Sequence, residues 1–309
     1  MKALLHAWSV GRELVSGSLK AGDLPARAAE RGFAGVEWLD RLMPSFRARD
    51  WEALGQAQQR VGLETAALSL GLEILQPPMA LAGQVDRAKA ILGLCPMLKV
   101  KAVRVSLGGG GFFSLNRLLA DLDRLRPRRE RKEQPLGILG KSLYRLSAGF
   151  LRKPADSGRP LPARANAMLL QSAAWALQPL ARQAGDLGLV LGLENHFGLT
   201  SHVEDILQIL ELAGTTQNNL GVCLDTGNFS QGQDPAQVAG LLGHRTVHVH
   251  FKTLRPDPGA DSARLNYPAQ IAALKSAGYA GLFSIEYQGP GDGLAGASAG
   301  AELLRKLWG

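Results

Sequence analysis

Apolar and polar positions along this chain fall into short runs separated by stretches of helical period. Runs rich in Val, Leu and Ile at 3–8, 35–39, 65–70, 102–107, 189–194, 220–225, 246–252 and 282–286 alternate at period two or are apolar throughout, the pattern of strands. Segments 25–30, 51–61, 81–94, 165–187, 203–212, 235–242 and 268–277 lie between them and carry apolar residues at helical spacing, and 299–308 closes the chain likewise. Strand followed by helix, repeated eight times, predicts parallel strands closed into a (β/α)8 TIM barrel. A doubly wound open sheet is the architectural alternative, and the eightfold count weighs against it. Gly188, Gly214 and Gly278 each stand just past a predicted helix, where a left-handed cap is wanted.

One stretch breaks the rhythm. Residues 108–164 separate the fourth strand from the next helix, far more than the usual βα loop of about 2–6 residues. Within it Leu115, Leu118, Leu119, Leu122 and Leu125 recur at helical spacing, as do Leu136, Leu139, Leu143, Leu146 and Phe150, with a basic run at 126–132 between the two stripes. The expectation is one barrel domain over 1–309, carrying a basic helical insertion over 112–160 after strand four. Following a strand, the insertion emerges at the barrel mouth, as a lid or a subunit contact. Gly108, Gly109, Gly110 and Gly111 read as its hinge rather than as a phosphate cradle.

Composition changes this picture little. The net charge of +8 resides in one place: residues 117–164 hold 13 Lys/Arg against 5 Asp/Glu, which leaves 22 of each sign elsewhere. Nucleic acid is therefore not an expected partner of the barrel, whereas a homo-oligomer is compatible with the sequence. No apolar run is long enough to span a bilayer, and the run at 1–8 is too short for a signal peptide. Two cysteines far apart in sequence, Cys95 and Cys223, form no disulfide framework and suit a reducing cytoplasm.

The chemistry comes from strand parity. In Thr246-Val247-His248-Val249-His250-Phe251-Lys252 the apolar residues share one face and His248, His250 and Lys252 the other. Glu194 stands opposite Leu191 and Leu193, Asp225 opposite Leu220, Val222 and Leu224, and Glu286 opposite Phe283 and Ile285. Because the apolar parity packs against the helices, Glu194, Asp225, His250 and Glu286 point to the barrel axis at the C-terminal ends of four successive strands. Three carboxylates and an imidazole repel one another there unless a cation joins them. This oxygen-and-nitrogen set predicts one divalent metal ion: Mn2+, Mg2+, Co2+ or Zn2+.

The stretches Gly192-Leu193-Glu194-Asn195-His196, Leu224-Asp225-Thr226-Gly227-Asn228, His248-Val249-His250-Phe251-Lys252 and Ser284-Ile285-Glu286-Tyr287 resemble the xylose isomerase-like TIM-barrel superfamily, the sugar phosphate isomerase/epimerase family. That superfamily includes ketose 3-epimerases, hydroxypyruvate isomerase, inosose dehydratase and the endonuclease IV group. Gly32-Phe33-Ala34-Gly35-Val36-Glu37 and Val103-Arg104-Val105-Ser106 are similar to its second and fourth strands. The resemblance implies an isomerase or epimerase acting on a sugar or sugar-like keto/hydroxy substrate through an enediolate, with Glu194 and Glu286 as metal ligands and as the acid/base pair. The alternatives are a metal-dependent dehydratase on an inosose-like or keto-sugar substrate, and a sugar-binding barrel without turnover.

Two departures qualify the resemblance. Epimerases carry a histidine three residues after the aspartate ligand, where this chain has Asn228, which can hydrogen-bond a hydroxyl but cannot shuttle a proton. Glu37, Ser69 and Arg104 occupy the mouths of strands two to four without a histidine, so a trinuclear zinc site of the endonuclease kind is not expected. The candidate substrate contacts are His6, Glu37, Arg104, His196, Asn228, His248 and Lys252. Glu37 and Arg104 are alternatively partners in an internal ion pair, and Cys223 reads as barrel filling.

Overall fold

A computed structural model of the chain describes residues 2–74, 76–107, 167–214 and 219–309. Eight strands run parallel: β1 (Ala3–His6), β2 (Gly35–Leu39), β3 (Thr65–Leu72), β4 (Val100–Leu107), β5 (Val190–Glu194), β6 (Leu220–Asp225), β7 (Thr246–Thr253) and β8 (Leu282–Tyr287). They pair in chain order, and β8 returns to pair with β1, which closes the barrel. Helices Leu24–Glu30, Ala48–Arg60, Pro78–Leu92, Ala167–Asp186, Val203–Ala213, Pro235–Leu242, Tyr267–Ser276 and Gly293–Trp308 follow the strands in turn. This is the expected (β/α)8 barrel. The insertion at 112–160 and the glycine run before it lie outside the described residues.

The alternation of the strands sorts two environments. Val36 and Trp38 of β2, Leu191 and Leu193 of β5, Val222 and Leu224 of β6, Val249 and Phe251 of β7, and Phe283 and Ile285 of β8 all face outward into one apolar layer beneath the helices. Removing such side chains from water stabilises the fold by about 25 cal/mol per Å2 of apolar surface. The largest polar-tipped side chain of this layer is paired: the Trp38 indole donates to Gln58 (3.0 Å), whose amide donates to the Leu98 carbonyl (3.1 Å). The opposite parity fills the barrel interior, where His6, Glu37, Ser69, His248, His250 and Ser284 are buried.

Several boundaries differ from the sequence expectation, for local reasons. β1 stops at His6 because the His6 ring accepts the backbone N–H of Trp8 (3.1 Å) and caps a 3-10 turn over Ala7–Val10. The last helix begins at Gly293 rather than 299, since Asp292 caps the amides of Leu294 and Ala295. Two short helices, Gly11–Ser16 and Gly259–Leu265, carry too few turns for an apolar period. Gly188, Gly214 and Gly278 adopt the expected left-handed backbone.

At Gly35 the constraint is space. A Cβ there would lie 1.9 Å from the Thr65 carbonyl oxygen and 2.9 Å from a Leu4 methyl, inside the barrel floor. Gly35→Ala is expected to destabilise the protein by about 1–3 kcal/mol, read from the midpoint of urea unfolding. A variant as stable as the wild type would show that β2 and β3 can separate at this point without cost.

Candidate metal centre at the barrel mouth

Glu194 and Asp225 end β5 and β6, and His250 and Glu286 stand near the ends of β7 and β8. Strand register brings them level: Glu194 pairs with Cys223, Asp225 with His250, and Lys252 with Glu286. All four side chains are buried, and one donor atom from each lies within 4.8 Å of the others. His250 Nδ1 is 3.3 Å from Glu194 Oε1 and 3.3 Å from Glu286 Oε2. His250 Nδ1 and Glu194 Oε1 are buried without a hydrogen-bond partner. Orphaned polar atoms are costly inside a protein, and two of them facing the same point fit a ligand that satisfies both.

Each acid has a fixed support. Asp225 Oδ1 accepts the backbone amides of Gly227 (2.8 Å) and Asn228 (3.1 Å), while Oδ2 accepts the Asn228 amide (2.8 Å) and Lys252 Nζ (3.2 Å). Asn228 returns its oxygen to Lys252 (3.0 Å), so its amide is shared between the two charged groups. Arg104 donates to Glu194 Oε2 at 2.6 Å. Glu286 Oε1 accepts from Gln288 at 2.6 Å and lies 3.5 Å from Lys252 Nζ. Arg104 thus pairs with Glu194 across the neighbouring strand, and the Glu37–Arg104 ion pair anticipated as an alternative does not form.

Electrostatics follow from these contacts. Burial pushes the Glu194 carboxyl up, but Arg104 and His250 outweigh it and bring its pKa down to about 2. Glu286 is held well below the usual carboxylate range against its own burial, chiefly by Lys252. Asp225 behaves oppositely: burial raises it to about 6 despite Lys252. Burial also works against a charge on Lys252 and Arg104, yet the facing carboxylates keep both firmly protonated. With His250 neutral, as ligation requires, the buried carboxylates Glu37, Glu194, Asp225 and Glu286 exceed the cations Arg104 and Lys252 by two charges, the deficit that one divalent ion closes. Donor chemistry, orphaned atoms and charge all fit such an ion.

Protons compete for the same donors. Ligation requires an ionised Asp225 and a neutral His250. Burial opposes a charge on His250, but Cys223 and Glu37 raise its pKa well above the usual imidazole range. Metal affinity is therefore expected to weaken as pH falls, Asp225 adding to the loss through about 6. Metal titrations from about pH 7.5 to about pH 5 check this; an affinity that stays level across that range contradicts it.

The remaining candidates occupy two depths. His196 lies half-buried at the mouth, where its backbone amide bonds Thr200. Burial lowers its pKa, with Glu194 opposing. Lys252 and Asn228 sit beside Asp225 as described. One layer down, Glu37 accepts from Ser69 (2.6 Å) and lies 2.8 Å from His248 Nε2 and 3.0 Å from His250 Nε2. His6 has both ring nitrogens engaged, Nδ1 by Trp8 and Nε2 with Ser69 (3.2 Å). Its pKa is lowered to about 4, mainly by burial, so it stays neutral. Cys223 is a buried thiol, raised to about 12 by burial.

Three supporting residues were not among the site candidates. Asn195 accepts the Asp225 backbone N–H (2.7 Å) and donates to the Asp225 and Asn228 carbonyls, which ties the end of β5 to β6. Ser69 and Gln288 hold Glu37 and Glu286. Asn195 directly follows an inward residue, so parity assigns it outward; the strand ends at Glu194 and the rule lapses there.

Comparisons with known proteins agree with the barrel fold. The family described as xylose isomerase-like TIM barrel matches residues 136–307. No curated protein sequence matches the chain. Among solved structures, a D-psicose 3-epimerase determined with D-fructose superposes with a TM-score of 0.65 at 14% identity, covering 100% of both chains. The probable 3-DHS dehydratase AsbF from Bacillus anthracis gives 0.63 at 16% identity, covering 98% of this chain and 99% of its own. An IolI protein with a bound zinc atom gives 0.65 at 14%, covering 100% and 98%. At such identities the likeness is one of fold. With more than half its length matched by the family and its strands closed in the corresponding barrel, the chain belongs to the xylose isomerase-like TIM barrel family.

Proposed function

We propose that this protein is a divalent-metal-dependent isomerase or epimerase of a sugar or sugar-like keto/hydroxy substrate. The observation that carries the reading is the convergence of Glu194, Asp225, His250 and Glu286 within 4.8 Å, with two orphaned donor atoms among them. A bound divalent ion would polarise a substrate carbonyl and its adjacent hydroxyl. The chain supplies the proton chemistry. Glu286, held ionised by Lys252, takes the proton from the carbon next to the carbonyl, and Glu194 on the other side of the site serves the opposite face. Arg104 holds the far oxygen of Glu194, which leaves one oxygen to act. His196, Lys252 and Asn228 are the groups best placed to orient hydroxyls. The epimerase and the zinc-holding protein among the structural neighbours support this class.

A second reading rests on Lys252. An ammonium held by Asn228 and 3.5 Å from Glu286 stands where the epimerase pattern has a histidine nearby. After Glu286 removes the proton beside a carbonyl, Lys252 can pass its own to a β-hydroxyl that departs as water, a net dehydration. The dehydratase among the neighbours is in keeping with it.

The test combines metal analysis of the purified protein with a panel of ketoses, inososes and 3-keto-glycosides, assayed with Mn2+ or Zn2+ and after chelation. One equivalent of metal and metal-dependent conversion are expected. Products of unchanged mass select the isomerase, and loss of water selects the dehydratase. Metal without turnover leaves a sugar-binding barrel, and a protein that takes up no metal overturns both enzyme readings.

A further inference from the structure

Glu37 is fully enclosed in the barrel and lies outside the candidate ligand set. A buried carboxylate is costly unless donors surround it, and the arrangement of its donors fixes where protons reside. The Trp8 amide donates to His6 Nδ1, so the His6 proton is on Nε2 and points to Ser69 Oγ. The Ser69 hydroxyl is thereby turned to Glu37 Oε1. A carboxylate only accepts, so His250, whose Nε2 lies 3.0 Å from Oε1, must present an Nε2–H. His248, 2.8 Å from Oε2, must do the same. An imidazole that ligates a cation is neutral and has one proton to place. The His250 lone pair therefore falls on Nδ1, the buried nitrogen without a hydrogen-bond partner, 3.3 Å from Glu194 Oε1 and Glu286 Oε2.

The geometry points to Glu37 as the positioning residue that locks His250 in its Nε2–H tautomer and turns the Nδ1 lone pair toward the metal. This inference rests on the metal reading above. It gives the inner polar layer a purpose that simple filling does not. One carboxylate on β2 grips two histidines of β7 directly and the histidine of β1 through Ser69 of β3. The ring that binds the ion is thereby fixed from below. Hydrogen-bonded carboxylates behind ligating histidines raise ligand basicity and set ring orientation.

The test uses the full chain with 15N-labelled histidine and Zn2+. Wild-type His250 is expected to show a protonated Nε2 and a metal-bound Nδ1. Glu37→Gln keeps the volume but presents an N–H2 to one of the two imidazoles. It is expected to weaken Zn2+ affinity by about 10–100-fold in competition with a chelator and to displace or remove the His250 Nε2–H signal. Glu37→Asp, which keeps the carboxylate, is expected to retain more affinity than Glu37→Gln. An unchanged affinity and tautomer in Glu37→Gln would overturn the assignment while leaving the metal reading intact. Should Glu37→Gln not fold, the wild type decides: His250 ligating through Nε2 contradicts the role of Glu37. A wild type that takes up no Zn2+ removes the metal reading, and the positioning role with it.

Discussion

Asp225→Ala is expected to abolish stoichiometric metal binding, with affinity reduced by at least about 10²-fold, more than loss of a supporting residue costs. The substitution does more than delete one donor. Asp225 is the first partner of Lys252, 3.2 Å away, and its loss strands a buried ammonium. Glu286 Oε1, already 3.5 Å from Lys252 Nζ, is the neighbouring carboxylate to which that charge can turn. One substitution therefore removes one ligand and engages a second in an ion pair. Calorimetric titration with Mn2+ or Zn2+ measures the effect, with circular dichroism verifying that the barrel remains. A folded Asp225→Ala protein that binds metal as the wild type does would place the ion elsewhere.

Glu286→Gln is expected to lower turnover by roughly 10²–10⁴-fold at saturating metal, the usual contribution of a general acid–base group. Glutamine keeps the shape and can still meet Gln288 and Lys252, but it cannot accept a proton from carbon. Isotope exchange gives an independent view. With the wild type, deuterium from solvent should enter the product at the carbon next to the carbonyl. Conversion without any exchange would indicate a hydride shift between carbons and would remove Glu286 from the role of base.

The sequence was most informative where a single period decides the outcome. Strands 35–39 and 220–225 coincide with β2 and β6, and parity alone turned Glu194, Asp225, His250 and Glu286 inward. Period two assigns a face, but height along the axis depends on strand stagger, which no single strand encodes. Glu37 and His6 have the right parity, yet they stand a layer below the ligand candidates with their polar atoms engaged by the protein. The partner of Arg104 was open for the same reason: its register with Gly192 of β5 sets it beside Glu194 rather than Glu37. Register irregularities between β3 and β4 and between β6 and β7 add offsets that alternation does not reveal. Asn195 escaped because it lies one residue beyond the strand, where the face rule no longer applies.

The pairing of β8 with β1 has a consequence in time. Ala3 lies beside Phe283 and Leu5 beside Ile285, contacts between nearly opposite ends of the sequence. Such contacts repay their chain entropy late, so ring closure belongs near the end of folding. The four candidate ligands lie on β5–β8, strands that pair with one another without β1, whereas Glu37 on β2 is held against His250 of β7 in the closed ring. A cation would find its four donors before closure but not the buttress behind the imidazole. The part of its binding energy that depends on that buttress would be gained only after closure, so it would slow opening of the finished ring and fall on kinetic persistence, the unfolding limb of the chevron.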